Sequence, residues 1–316
     1  MYLIYMNKIL GFIVLIAIGM LYEKYKDYQE NKVQSNKKHI IKQYFFKNKH
    51  TFDNKPFLWL HNDHDINSRK WLDFGSRNTN NINRPYITIC LDKLIKTYSD
   101  YFNVVIIDDV SFNILLPNKT NISTLPEPLK THERKIALVE LIYKYGGIVC
   151  PNSFYPKDDT LIDIYKNNEC FSFEILTGYK TNDVMIPSVD FIGCKKKNPN
   201  VKSFIEAIRT TNKNDVTNQQ DFLEATNMRL NKMKTEHQMV VYDGRMIGTK
   251  YKDNTLVTLD DLVKEKHNDF HCSNFGLYIP KVRLEKITSR NWITYLSKQE
   301  LLNSNTLIGS YFNLYK

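Results

Sequence analysis

Residues 143–156 read YKYGGIVCPNSFYP, and this stretch decides how the chain around it is arranged. Apolar residues at helical spacing run from about Lys130 to Tyr145 and stop at Gly146-Gly147, a pair that suits the left-handed backbone of a helix end. The apolar residues IVC that follow predict a short buried strand. The order of helix, glycine pair, strand and polar loop is typical of a domain in which helices and strands alternate.

The residues upstream repeat this alternation. Phe57–Leu60 predicts a first buried strand, a helix begins at Pro85, and FNVVIIDD predicts a strand that ends at Asp108-Asp109. We therefore expect an α/β domain with a mainly parallel sheet. Ligands of such sheets bind at the carboxyl ends of strands, so the loop after the first strand, Asp108-Asp109 and Cys150–Phe154 are expected along one edge.

The C-terminal half carries weaker patterns. Residues 186–208 predict another strand, turn and helix, and Asp243-Gly244 within VVYDGRMIGTK predicts a hairpin. Residues 291–312 predict a terminal amphipathic helix with Trp292 in its packing face.

Charge and cysteine content narrow the function classes. The net charge is +10, but lysines are spread along the chain without zinc-finger spacing or an RNA-recognition aromatic motif. Attraction to anionic lipid or to the phosphates of a sugar nucleotide explains this charge, and we expect no nucleic-acid partner. The five cysteines are scattered and form no CxxC pair, which predicts neither a zinc site nor a disulfide framework.

The first residues predict a membrane anchor. Residues 1–22 are almost entirely apolar, Lys8 can snorkel to a headgroup, and Tyr2, Tyr5 and Tyr22 stand where interfacial aromatic residues belong. The alternative is a cleaved signal peptide with Ala17-Ile18-Gly19 as its cleavage site.

We predict three regions: an anchor over residues 1–22, a basic polar stalk over 23–54 and one large domain over 55–316. The lysine-rich stalk favours a domain on the cytoplasmic side, whereas two glycosylation sequons that begin at Asn118 and Asn121 favour a luminal one. We expect a single-pass membrane protein, and the side of the membrane on which its large domain lies stays open.

Two stretches carry a family resemblance. RPYITICLDKLIKTYSDYFNVVIIDD resembles the Pro-Tyr-led helix and following strand of capsular-polysaccharide-type glycosyltransferases. ALVELIYKYGGIVCPNSF resembles their glycine-pair segment, which leads into an acidic DXD motif, and PFLWL is similar to their first strand. The resemblance covers about residues 56–173 and implies a GT-A-like nucleotide-diphospho-sugar fold. It places the nucleotide-sugar beside the following residues: Trp59, Asp108, Asp109, Tyr145, Gly146, Gly147 and Asn152.

The chain departs from that family at its metal-binding acids. The positions of the DXD acids hold Cys150 and Asn152, and the positions of an Asp and an Arg in the preceding helix hold Lys135 and Leu138. Mn²⁺ and Mg²⁺ prefer oxygen ligands, and a neutral thiol is a poor one. We therefore predict no metal site and assign no catalytic residue; Mn²⁺ or Mg²⁺ would bind only if other acids replaced the missing pair.

Several other groups could compensate. Asp108-Asp109 or Asp158-Asp159 could hold a metal, as could the cluster His61, Asp63, His64 and Asp65. A diphosphate clamp without metal is the second alternative, and its candidates are Arg69, Arg77 and Arg84. Conceivable catalytic bases are Asp190, Glu174 and Asp221.

Two functions from different classes follow. One is a membrane-anchored glycosyltransferase that moves a sugar from a nucleotide-sugar to a glycan or lipid acceptor. The other is a pseudoenzyme, a degenerate copy of the kind encoded by large DNA viruses, which serves as a membrane-tethered minor virion or capsid protein. The expected partners are membrane lipid, a nucleotide-sugar and other proteins of an assembly, and the expected location includes an internal virion membrane.

Overall fold

The structure is a computed structural model that describes residues 55–62, 84–117, 119, 121–177, 184–214, 219–265 and 269–316. The predicted anchor and stalk lie outside the described residues, as do Asp63, His64, Asp65, Arg69 and Arg77. Within the described ranges no helix is long and apolar enough to cross a membrane.

The N-terminal half of the domain alternates strands and helices. In chain order its elements are β1 (Phe57–His61), α1 (Pro85–Tyr98), β2 (Asn103–Ile107), α2 (Phe112–Leu115), α3 (Leu129–Tyr145), β3 (Gly147–Cys150), β4 (Phe154–Pro156) and α4 (Thr160–Asn167). This alternation confirms the mixed α/β class.

The C-terminal half adds longer antiparallel strands and short helices. Its elements are β5 (Cys170–Thr177), β6 (Val184–Cys194), α5 (Pro199–Asn214), α6 (Gln219–Thr235), β7 (Val240–Tyr242), α7 (Leu259–Val263), β8 (Gly276–Tyr278), α8 (Lys281–Lys286), α9 (Lys298–Leu302) and α10 (Leu307–Leu314). The strand, turn and helix predicted for residues 186–208 are therefore present as β6 and α5.

Six strands form the main sheet in the order β2-β1-β3-β6-β5-β7. Strand β1 pairs in parallel with both β2 and β3, and β5 pairs in parallel with β7. Strand β6 runs antiparallel to both of its neighbours, β3 and β5. The sheet is thus largely parallel, and the carboxyl ends of β1, β2 and β3 share one edge as expected.

The glycine pair lets β3 approach β1. Gly147 has φ of +104°, and a Cβ built there would lie 2.2 Å from the carbonyl oxygen of Phe57. A side chain is excluded both by this backbone contact and by the positive φ. The adjoining Gly146 accepts a hydrogen bond from the indole nitrogen of Trp59 over 3.1 Å, which ties the helix end to the fully buried centre of β1.

A second, two-stranded sheet joins distant parts of the chain. Strands β4 and β8 pair antiparallel, with Phe154 opposite Tyr278 and Pro156 opposite Gly276. The backbone N–H of Ile279 extends this ladder by donating to the carbonyl oxygen of Ser153 over 3.1 Å. The segment after β8 is therefore fixed directly beside the loop that follows β3.

Two predictions for the C-terminal half are wrong. Asp243-Gly244 forms no hairpin, because the Asp243 carboxylate accepts from the backbone N–H of Arg245 and caps a 3₁₀ turn over Gly244–Ile247. The predicted terminal helix is broken into a 3₁₀ turn, α9 and α10, since Ser297 and Thr306 each start a new helix as N-caps. Trp292 is 43% exposed and does not form a packing face.

Candidate functional site

A cleft of about 560 Å³ opens at the carboxyl edge shared by β1 and β3. Its walls come from the end of β1, the first turns of α3, the loop after β3, the middle of β6 and the segment from β8 to α8. The polar residues that line it are His61, Glu127, Thr131, Arg134, Lys135, Asn152, Ser153, Ser188, Asp190, Asn227, Tyr278, Lys281, Arg283 and Lys286.

The loop after β3 is hydrogen-bonded to the segment that follows β8 of the second sheet. Ser153 is 1% exposed, and its hydroxyl donates to the carbonyl oxygen of Ile279 over 2.6 Å. Two residues further on, Lys281 begins α8 and turns its ammonium group toward the same loop. A segment more than 120 residues away in sequence therefore supplies one wall of the cleft.

Lys281 donates a hydrogen bond to the side chain of Asn152, the residue expected from the resemblance to replace the second DXD acid. Its Nζ lies 3.1 Å from Oδ1 of Asn152, a residue that is only 1% exposed. Because an ammonium can only donate, the amide oxygen must face Lys281, and Nδ2 is the group left over. That Nδ2 is buried and has no hydrogen-bond partner among the described residues.

Cys150, expected from the resemblance to replace the first DXD acid, is a poor ligand for a hard cation. Cys150 is 1% exposed and belongs to the hydrophobic core, and burial, with a smaller contribution from Cys90, raises the pKa of its thiol well above the ordinary value. Cys150 therefore stays a neutral thiol at physiological pH.

A divalent metal does not fit this donor set. One position is a neutral buried thiol, and the oxygen at the other already accepts from a cation. Within the described ranges no group of three His, Cys, Asp or Glu residues could hold a metal ion. The residues present therefore disagree with the metal that the family resemblance implies.

The two departures in the preceding helix also face the cleft. Lys135 forms an ion pair with Asp190 of β6, and Leu138 contributes an apolar part of the wall. Asp190 is 36% exposed at its side chain, and its backbone N–H donates to the hydroxyl of Ser188 over 3.1 Å. Lys135 of α3 is thus paired with an acid of β6 at the cleft wall.

The cleft carries an excess of positive charge. Among the described residues that line it, five are lysine or arginine and two are carboxylates, Glu127 and Asp190; Arg134 is also paired with Asp109, which lies behind the lining. Three of the cations, Lys281, Arg283 and Lys286, belong to the single short helix α8. Such a surface favours an anionic ligand, and a diphosphate is one of suitable charge density.

Asp109 has a structural role behind the cleft. Its carboxylate accepts two hydrogen bonds from Arg134, over 2.8 and 2.7 Å, and lies 3.1 Å from Nε2 of His61. Burial alone would raise the pKa of this carboxyl, but the hydrogen bonds from Arg134 and His61 outweigh it and hold the pKa well below its usual value. The Asp109 carboxylate therefore orients the side chains of His61 and Arg134, which both line the cleft.

The remaining residues predicted to bind the nucleotide-sugar do not line this cleft, although Asn152 does. Asp108 accepts hydrogen bonds from the backbone and hydroxyl of Ser111 and so caps the turn into α2. Tyr145 donates to the carbonyl oxygen of Leu115 over 2.8 Å. Trp59 is fully buried, and Gly146 and Gly147 serve the helix end described above.

The alternative acids and the described arginine of the proposed clamp are also engaged elsewhere. Asp158 accepts from the backbone N–H of Thr160 at the start of α4, and Glu174 pairs with Lys234 and Lys250. Arg84 lies 3.4 Å from Glu285. For Asp221 the structure describes the backbone only.

The sequence patterns missed the cations of α8. The segment PKVRLEK, residues 280–286, contains these three cations, but nothing in its sequence alone shows that it lies beside the loop after β3. The pairing of β4 with β8 makes the connection, and a three-residue strand leaves only a weak trace in sequence.

No protein-family model matches the chain, and no curated protein matches its sequence. Among solved structures, one described as PaToxG Glycosyltransferase is similar, with a TM-score of 0.35 and 11% identity. The match covers 58% of this chain and 69% of that one. This similarity is distant and concerns the fold alone.

Proposed function

We propose that the cleft binds a nucleotide-diphospho-sugar and that the chain is a glycosyltransferase-like protein. The observation that carries this proposal is the cation-lined cleft at the shared carboxyl edge of β1 and β3, which is where α/β sheets bind their ligands. The family resemblance of residues 56–173 selects a nucleotide-sugar from among the anionic ligands that would suit such a cleft.

The side chains of the cleft suggest how transfer would proceed. The cations of α8 would hold the diphosphate and stabilise the negative charge that it gains on leaving. An acceptor hydroxyl would attack the anomeric carbon, the bond from that carbon to the phosphate oxygen would break, and Asp190 would take the hydroxyl proton. The electron pair of the broken bond leaves with the nucleoside diphosphate.

The second candidate is a catalytically degenerate, membrane-tethered structural protein. The observation that favours it is the replacement of both metal-binding acids by Cys150 and Asn152. In either case residues 1–22 would anchor the chain in lipid, and the degenerate form would act through protein partners in an assembly such as a virion.

Calorimetric titration of the full-length chain in mild detergent tests the proposal, with UDP, GDP and their sugars as ligands. Thr131→Trp would fill the cleft and is expected to weaken binding by about tenfold or more, since a ligand must displace the indole. The matched control is Lys130→Trp, one residue earlier on the same helix and outside the cleft lining, which should leave affinity within about twofold.

Three results separate the candidates. Binding together with release of free nucleotide from a nucleotide-sugar indicates a transferase. Binding without turnover in the presence of glycan and lipid acceptors favours the degenerate form. If none of these nucleotides binds, with or without Mn²⁺, the cleft does not have the proposed function.

A further inference from the structure

We infer that this cleft binds the diphosphate without a divalent cation, with the ammonium of Lys281 beside Asn152 providing the positive charge that a metal would otherwise supply. The inference rests on the proposed function, since it concerns how the same site holds a nucleoside diphosphate. It departs from the metal-dependent binding that the family resemblance implies.

The first argument is the geometry at the second DXD position. The Nζ of Lys281 lies 3.1 Å from Oδ1 of Asn152 at the wall of the cleft. A divalent metal bound to that oxygen would have to displace the ammonium and would gain only a neutral amide oxygen there. The ammonium of Lys281 already supplies a positive charge at this oxygen, and as part of the chain it cannot dissociate as a metal ion would.

The second argument is the unused donor of Asn152. A buried donor without a partner is destabilising, because it has lost its hydrogen bonds to water and gained none in return. The Nδ2 of Asn152 is such a group among the described residues, and its side chain lies at the cleft wall with its oxygen already held by Lys281. This nitrogen has almost no accessible surface, so a phosphate oxygen would satisfy it after a small shift of the cleft wall, whereas a metal ion would be repelled by it. The amide therefore suits an anion rather than a cation.

The third argument is the rigid placement of Lys281. The β4–β8 ladder and the hydroxyl of Ser153 fix residues 276–279, and the backbone N–H of Lys281 donates to the carbonyl oxygen of Ile279 over 2.8 Å. Arg283 and Lys286 follow on the same short helix and line the same cleft. Several preorganised cations can neutralise a diphosphate without metal, because charge-assisted hydrogen bonds to phosphate are strong.

The test is calorimetric titration of the full-length protein with UDP and with GDP, once in EDTA and once in MnCl₂. Wild-type protein should bind at least one of them equally well in both. Lys281→Met should weaken binding in EDTA by about 10- to 100-fold, the range for a hydrogen bond to a charged group. Lys281→Gln keeps a donor near Asn152 without the charge and should lose nearly as much, whereas Lys281→Arg should restore most of the affinity.

The matched control is Lys298→Met, the same substitution at a surface lysine that pairs with Asp92 outside the cleft. It should leave affinity unchanged, and unchanged thermal unfolding of each variant would show that the fold is intact. If Lys281→Met fails to fold, the comparison of Lys281→Gln with Lys281→Arg carries the test.

Each other outcome overturns a defined part. Binding that needs Mn²⁺ would overturn the metal-free site and leave the proposed function standing. Metal-free binding that is equal in wild type and in the Lys281 variants would overturn the role of Lys281. If neither nucleotide binds in EDTA or in MnCl₂, both the proposed function and this inference are overturned.

Discussion

Strand β3 is four residues long, and its two ends are governed by different physics. At the start, the backbone of Gly147 packs so closely on Phe57 that no side chain has room. Just beyond its end, the side chain of Asn152 accepts a hydrogen bond from Lys281, the first residue of α8, which follows the second sheet. The first constraint is steric and belongs to the backbone, so it fixes the scaffold. The second is electrostatic and depends on side chains, so the same scaffold can carry a different charge pattern.

The largest expected effect comes from adding a side chain at Gly147, where β3 begins. Gly147→Ala would place a Cβ 2.2 Å from a backbone oxygen at a φ of +104° and should lower the free energy of unfolding by about 4 kcal/mol. Gly146→Ala is the comparison, because its Cβ would come no closer than 3.1 Å to its nearest neighbour, the backbone nitrogen of Lys196; at a φ of +75° and a ψ of −178° it should cost about 2 kcal/mol. Chemical denaturation of both variants measures the difference, and equal losses would contradict the account of β3.

A smaller loss is expected at the neighbouring strand end. Asp109→Asn removes the carboxylate that Arg134 and His61 share and should lower the free energy of unfolding at pH 7 by about 2 kcal/mol. The folded-state pKa of Asp109 is depressed, so its stabilisation is present above the unfolded pKa of about 3.9 and is lost as the pH falls through the folded value.

Denaturation of wild type and Asp109→Asn from pH 7 down to pH 2 follows this dependence. The advantage of the wild type should be constant near neutral pH and shrink below about pH 4. An advantage that grows as the pH falls would show that the carboxylate is not held in its ionised form by these partners.

The scaffold was more predictable than the site. The helix end at Gly146-Gly147, the strands around it and the shared edge follow from local patterns of apolar residues and glycine, because those patterns report on backbone geometry. Lys281 could not be placed from sequence, since its position depends on the three-residue pairing of β4 and β8 across more than 100 residues. Asp109 could be placed at the strand end, but its partner Arg134 lies on another helix.

A change of charge at Asn152, beyond the end of β3, should alter nucleotide binding more than the stability of the fold. Asn152→Asp would set a carboxylate against Lys281, remove the Nδ2 donor and repel a diphosphate, so nucleotide affinity in EDTA should fall by about tenfold. Asn254→Asp adds the same charge at an exposed position outside the cleft lining and should leave affinity unchanged. Calorimetry compares the two, and tighter metal-free binding by Asn152→Asp would contradict the account.

The smallest effect is expected for a lysine that shares only its chemistry with Lys281. The ion pair of Lys298 with Asp92 is solvent-exposed, with both side chains 58% accessible, so Lys298→Met should change the free energy of unfolding by less than about 0.5 kcal/mol. Denaturation in low and high salt measures this, and a loss above about 1 kcal/mol would show that position alone does not distinguish the two lysines.

The most direct measurement is a crystal structure of the protein grown with UDP or GDP in the presence of MnCl₂. The account predicts a diphosphate oxygen within hydrogen-bond distance of the Nζ of Lys281 and of the Nδ2 of Asn152, with no metal ion between them. A manganese ion that bridges the diphosphate beside Asn152, or a nucleotide bound outside the cleft, would contradict it.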